Sequence, residues 1–541
     1  MISPLFLLVA LPIFGLVAII FRAPARLTTL LVCVANVLVV VVSGLQEFFK
    51  VHSFQVLSTH FLWEQSIPWG NLPGLGEVSF KVGVDGISFP LVILTVVVAL
   101  AAVLVTPPRV ERERLFYGNL LLVILGALGA FVSLDLFFLY VFHEVALIPT
   151  FLLIGMWGHG PRRVFVSYQT TIYLLAGSLA ILIGFLILLN AMPAAHRTTD
   201  LVVLREWFLN QPLSRSTQVQ LYAWLLIGFG ILVGLFPFHG WAPPAYAASP
   251  TGLAMLHAGV LKKFGIYALL RIVLPLFPLA PRDFVFGENL VSLLIVGNLL
   301  VIGWVTIAQR RLDQMLGFSS VMHMGYLFLG LFAASQLSLS GVVLLMVGHG
   351  LSVSGLFAIN GVLREKVDEG DMSRLGGLAK YFPFFSFAFV IFALASIGLP
   401  GLANFPGEVL IFFGSWKRYP LVTIAALFGV VISSIYLLRA VRRVFFGSVA
   451  HEGVRREIFL SSKIGILILL VSVLGWGLLP GLWSQKANAS LSHWLGTDAL
   501  KVAMKKRGNF NGNERSDVVA SAGSELVGIR LFFVVDPSFF K

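Results

Sequence analysis

The sequence predicts an all-α polytopic membrane protein with about 14 transmembrane helices. Three observations predict it. Apolar residues make up 58% of the 541 residues, charged residues only 12%, and mean hydropathy is +0.93. A soluble domain carries about a quarter of its residues charged, so a soluble globular enzyme is excluded. A disordered chain, which needs high charge and few aromatics, is excluded too. Finally, stretches of roughly 20 apolar residues, the length that crosses a bilayer, recur along the chain. The net charge of +13 is the kind that Lys and Arg in cytoplasmic loops produce, so no nucleic acid is expected. The one cysteine, Cys33, rules out a disulfide framework and cysteine-held iron–sulfur clusters.

In order, the spans lie near 3–21, 27–46, 87–106, 115–133, 135–157, 165–190, 220–246, 250–277, 288–308, 315–335, 340–363, 382–416, 420–445 and 462–482. The first has no basic n-region and no small-residue cleavage pattern, and reads as a retained helix rather than a signal peptide. Loops after odd-numbered spans hold 19 Lys and Arg, against 10 after even-numbered spans, Arg271 being counted among the latter. The bias places the odd loops in the cytoplasm and both termini outside. Residues 501–541 are too charged to span and read as a flexible tail.

Span seven contains LVGLFPFHGWAPPAYAASP (232–250) and span twelve IGLPGLANFPGEVLIFFGSW (397–416). Both are apolar helices interrupted by Pro and Gly, and freed backbone groups survive in lipid only beside protein or water. Two interruptions five spans apart predict two inverted five-helix repeats with discontinuous helices 7 and 12. The organisation is then 1–114 (helices 1–3), 115–277 (helices 4–8), 288–446 (helices 9–13), 462–482 (helix 14) and the tail.

Charge at membrane depth costs at least about 2.5–3.5 kcal/mol per group, so the few such residues are candidate functional groups. They are Glu144 beside His143 in span five, His257, Lys262 and Lys263 in span eight, His323 in span ten, His349 in span eleven and Glu408 in span twelve. They show no metal-ligand spacing and no phosphate-binding loop. Carboxylate, lysine and histidine on successive helices suit a proton relay. Lys262 points about 100° from Lys263 on a regular helix and reads as snorkelling towards lipid or a partner. Asp85, Asp135, Asp313 and Glu365 fall at span ends and read as loop or cap residues.

These residues sit in recognisable segments: VGVDGISFPLVILT (82–95), FLYVFHEVALIPTFLLIGMWG (138–158), LFPFHGW (235–241), SPTGLAMLHAGVLKKFGIYALLRIVLP (249–275), GFSSVMHMGYLFLGL (317–331), GHGLSVSGLFAINGVL (348–363) and GLPGLANFPGEVLIFFGSW (398–416). The chain resembles the antiporter-like subunit M (chain 4) family of NADH:quinone oxidoreductase, respiratory complex I. The resemblance implies fourteen helices with inverted five-helix repeats. It implies a proton-translocating membrane-arm subunit of an enzyme whose redox chemistry lies elsewhere. Glu144, Lys263, His323, His349 and Glu408 match the family's relay residues. No cofactor is expected on this chain; NADH, FMN, iron–sulfur clusters and quinone are implied on partner subunits. The implied partners are the sister subunits L and N within a lipid bilayer, the bacterial inner membrane. Alternatives are a multi-subunit Na⁺/H⁺ antiporter subunit, a membrane-bound hydrogenase subunit, or a structural paralogue that pumps nothing.

The chain departs from the family pattern at three places. Where the family has a span-seven lysine paired with the span-five glutamate, this chain has Leu232. Pro244 and Tyr246 stand for an acid and a histidine, and RRLDQ (310–314) lacks a Lys-Arg pair. The departures predict an unpaired Glu144, a modified or impaired first half-channel, and a divergent second copy of subunit M.

Overall fold

The computed structural model describes residues 3–49, 61–277, 287–367, 369–448 and 458–496. The helices are α1 (Pro4–Ile20), α2 (Ala25–Phe49), α3 (Phe89–Val105), α4 (Glu113–Val132), α5 (Leu136–Trp157), α6 (Arg163–Asn190), α7 (Leu201–Asn210), α8 (Arg215–Val233), α9 (Ala242–Ala248), α10 (251–276), α11 (287–308), α12 (Leu312–Ala333), α13 (Gln336–Val367), α14 (Pro383–Ile397), α15 (Phe405–Trp416), α16 (Pro420–Phe445), α17 (Leu460–Leu478) and α18 (Pro480–Leu495). Among the described residues, ten helices are long and apolar enough to cross a membrane, and α1, α3 and α14 are shorter apolar helices. With α10, they give the fourteen spans that the hydropathy predicts. Residues 1–495 pack as one compact unit. The second unit, 496–541, contains the expected tail and, apart from Gly496, lies outside the described residues.

Burial sorts the helices into two classes. Every residue of α13 from Ser338 to Leu363 is buried, and α10 is enclosed on nearly all sides. The outer helices keep exposed apolar faces, with Phe14, Ile20, Phe413 and Leu421 among the most exposed. A water-soluble protein does not tolerate so broad an apolar surface; lipid does. The chain is a multi-pass membrane protein.

Both interruptions have the same construction. Helix α8 ends on Gly234 at φ 83°, and α14 ends on Gly398 at φ 88°, the left-handed region that glycine enters without a Cβ penalty. A short non-helical stretch follows each. The chain then restarts as α9 or α15 with proline in the first turn, where its missing N–H costs nothing. Helix α10 is also irregular: π-turns at His257–Leu261 and Leu269–Val273 interrupt its α-helical ladder.

Among the described residues, a hairpin and two helices that hydropathy does not predict lie outside the spans. An antiparallel hairpin joins β1 (Leu62–Leu72) to β2 (Gly76–Val84). Helix α7 follows span six, and α18 follows span fourteen. All three come after even-numbered spans, and they assemble on one another. Lys81 of β2 pairs with Asp200 at 2.8 Å, and Arg205 of α7 donates to the Trp494 carbonyl of α18 at 2.6 Å. Ser490 of α18 accepts from the Gly86 backbone N–H at 2.8 Å. Desolvation opposes the Lys81 charge, but Asp200 and Glu64 outweigh it and hold its pKa above the usual lysine value. This side-by-side assembly is what fourteen alternating passes require.

Candidate functional site: a buried line of ionisable groups

The centre of the bundle holds Lys263, His349, His323 and Glu408. Their side chains are buried, at 0%, 2%, 1% and 3% exposure. The π-turn in α10 prepares the first of them. The Lys262 N–H reaches back five residues to the His257 carbonyl at 3.1 Å. The Lys263 ammonium then donates to the Ala258 carbonyl at 2.6 Å and lies 2.9 Å from His349 Nδ1 on α13. Such single π-turns accumulate at functional positions because they redirect a side chain without ending the helix.

His349 is followed by His323 of α12, with ring centroids 5.2 Å apart. His323 sits between two carbonyls: Nδ1 is 2.8 Å from Ser319 O, and Nε2 is 2.8 Å from Ser396 O. A carbonyl only accepts, so this cradle is satisfied in full when both ring nitrogens carry protons. The second carbonyl belongs to the last turn of α14, at the interruption. Two residues on, Gly398 packs directly against the Glu408 carboxylate, leaving no room for a Cβ. Glu408 lies in the first turn of α15, where the helix dipole favours negative charge. The second interruption thus places the carbonyl that holds His323 and the glycine that packs on Glu408 two residues apart.

Glu144 is separate from this line. Its side chain on α5 is 29% exposed. His143 Nδ1 lies 3.2 Å from the carboxylate, and the Ser178 hydroxyl of α6 donates to it. The expected lack of a partner is therefore corrected: Glu144 has an adjacent imidazole and a hydroxyl in place of a lysine. Leu232 is buried at 5% exposure, in the wall of a cavity of about 30 Å³, space enough for water. His143, Thr150, His257 and Lys262 share that wall.

Two further expectations are corrected. Lys262 does not snorkel to lipid or to an outer face. It is 1% exposed, with its ammonium 5.4 Å from the centre of the Tyr246 ring. The angular argument holds, but α10 has protein on every side, so both of its lysines face inward. Arg271 is no loop charge. It is fully buried and pairs bidentately with Asp85, Nη1 to Oδ2 at 2.9 Å and Nη2 to Oδ1 at 2.5 Å. Asp85 also accepts from the Ile87 and Ser88 N–H groups at the start of α3, so it is a cap and an ion-pair partner at once. Asp135 caps α5 as expected, accepting from Phe137 and Phe138.

Sequence reasoning missed Asn298. From the π-turn of α11 it accepts from the Phe236 N–H at 2.7 Å and donates to the carbonyls of Gly234 and Val321. It satisfies backbone freed at the first interruption. The signal was a single amide in the apolar run LLIVGNLLVIG.

A family model described as NADH:quinone oxidoreductase/Mrp antiporter, TM, matches residues 133–433. The chain is 33% identical over 449 residues to NADH-quinone oxidoreductase subunit M of Escherichia coli (strain K12), covering 80% of this chain and 85% of that protein. Among solved structures, a chain of respiratory complex I from Thermus thermophilus with bound NADH superposes with a TM-score of 0.78 at 28% identity. That match covers 91% of this chain and 100% of the other. A chain of the Mrp complex from Dietzia sp. DQ12-45-1b shares the fold, with a TM-score of 0.76 at 19% identity, covering 92% and 98%.

Proposed function

The chain belongs to the NADH:quinone oxidoreductase/Mrp antiporter transmembrane family, and from that premise we propose that it is a proton-translocating membrane-arm subunit of an NADH:quinone oxidoreductase. The observation that carries this is the contact line Lys263–His349–His323 ending at the interrupted helix that holds Glu408. Each member holds or releases a proton, and each lies within one transfer of the next or beside the interruption that connects them. Quinone reduction in partner subunits shifts charge along the line, and protons enter and leave in response. NADH, FMN, iron–sulfur clusters and quinone reside on those partners, and this chain does no redox chemistry. Sisters of types L and N flank it in the bacterial inner membrane, with both termini outside. The segments 115–277 and 288–446 are the two inverted repeats, a reading supported by the matching interruptions at Gly234 and Gly398.

Purification of the tagged chain from its native membranes tests this. Co-purification of flavin- and iron–sulfur-bearing subunits, with NADH-driven acidification of inverted vesicles, is the expected result. Co-purification of small antiporter subunits, with Na⁺-driven proton exchange and no NADH oxidation, would overturn it in favour of the antiporter.

A further inference from the structure

Lys262 and Lys263 are adjacent in sequence but face different surroundings. Lys263 meets His349. Lys262 faces the cavity that also touches His143, His257 and Leu232. Its Nζ is buried and has no hydrogen-bond partner. Three neighbouring polar atoms are in the same condition: His257 Nδ1, Tyr246 Oη and His239 Nδ1. The aromatic contacts Tyr246–His257 and Trp241–His257 and the Lys262–Tyr246 contact hold these groups together. A Cβ built on Gly234 would lie 3.8 Å from both Lys262 Cε and His239 Cβ, so the lysine tip and His239 both approach the first interruption. His239 is only partly buried. Lys262 and His257 both line the cavity, and their unsatisfied nitrogens call for water there, because buried polar groups otherwise lose about 1–3 kcal/mol each.

We propose that Lys262 is the proton carrier of the first half of the bundle, working through water in the cavity that it shares with His143, His257 and Leu232; this rests on the proton-translocating reading above. The Lys262 amine takes up an excess proton relayed to it through the cavity water, which is left neutral, and becomes an ammonium. It then gives that proton, through water, to the His143 imidazole and returns to the amine. His143 stands 3.2 Å from the Glu144 carboxylate, which stabilises the imidazolium so formed. Leu232 lines the same cavity from α8, so a lysine there reaches the same water. The ammonium that this chain lacks on α8 is supplied from α10. The two lysines then serve two different faces of one helix, Lys262 the first half and Lys263 the second.

The test uses the assembled complex in native inverted vesicles, with substrate oxidation and proton uptake read together. Lys262→Leu is expected to assemble, to keep electron transfer, and to lose pumping several-fold. Leu232→Lys with Lys262→Leu is expected to recover it, which a purely structural lysine cannot do from another helix. Normal pumping in Lys262→Leu beside defective pumping in Lys263→Ala overturns this proposal and leaves the translocation reading standing. Normal pumping in both overturns the translocation reading itself. If Lys262→Leu does not assemble, the double variant decides: assembly with pumping supports the carrier role. Assembly without pumping, or no assembly, makes Lys262 structural and overturns it.

Discussion

Arg271 and Asp85, 186 positions apart in sequence, meet as a bidentate ion pair in the interior. The guanidinium is enclosed by aromatic rings, with centroids of Trp494 at 4.9 Å, Phe61 at 5.3 Å and Tyr267 at 5.5 Å. Removing one member of a buried pair leaves an uncompensated charge and costs about 3–5 kcal/mol. Arg271→Leu and Asp85→Asn should therefore each lower the unfolding temperature of the detergent-solubilised protein. The double variant Asp85→Leu with Arg271→Leu should be less destabilised than Arg271→Leu alone. Additive losses in the double variant would show that the two residues do not act as a pair.

Lys263 donates to Ala258 O and contacts His349. Lys263→Ala should leave the complex assembled and oxidising substrate while proton pumping falls. Vesicle acidification measured against oxidation rate checks this, and unchanged pumping in an assembled complex would remove Lys263 from the relay.

Glu408→Gln keeps shape and hydrogen bonding but cannot ionise. Pumping should be lost with normal membrane insertion, and failure to assemble would mark the residue as structural. Gly398→Ala probes the same carboxylate from the other side. It forces a Cβ into the left-handed region, at about 1–2 kcal/mol, and into the space of the Glu408 carboxylate. Pumping should drop more than assembly does.

Glu144 carries its own partners, His143 and Ser178. Glu144→Gln removes a compensated charge and should reduce pumping, while Ser178→Ala should have a smaller effect. Full pumping in Glu144→Gln would mean that the first half of the bundle makes no use of this carboxylate.

The fourteen spans, the two interruptions and the inward placement of Lys263, His323, His349 and Glu408 are legible in the sequence. Length, apolarity and rare charge are local properties, and lipid enforces them strictly. Lys262 and Arg271 are not legible in the same way. Whether a helical face meets lipid or protein depends on how many neighbours surround the helix, which the sequence of α10 does not record. The pairing of Asp85 with Arg271 needs two distant segments brought together, which no periodicity records. The hairpin escapes because β1 is mostly exposed and lacks a clean alternation of buried and open positions. The partners of Glu144 escape because a serine on the next helix replaces the cation that a motif would lead one to seek.

Trp494 has a consequence for how the protein is made. Its indole donates to the Arg271 carbonyl at 3.0 Å while its ring faces the Arg271 guanidinium. Asp85 and Arg271 leave the ribosome long before α18 does. A nascent chain that has not reached residue 494 holds a charged pair with one wall missing. Enclosure of that pair is therefore a late event in biogenesis, completed only when translation has passed through all the membrane spans.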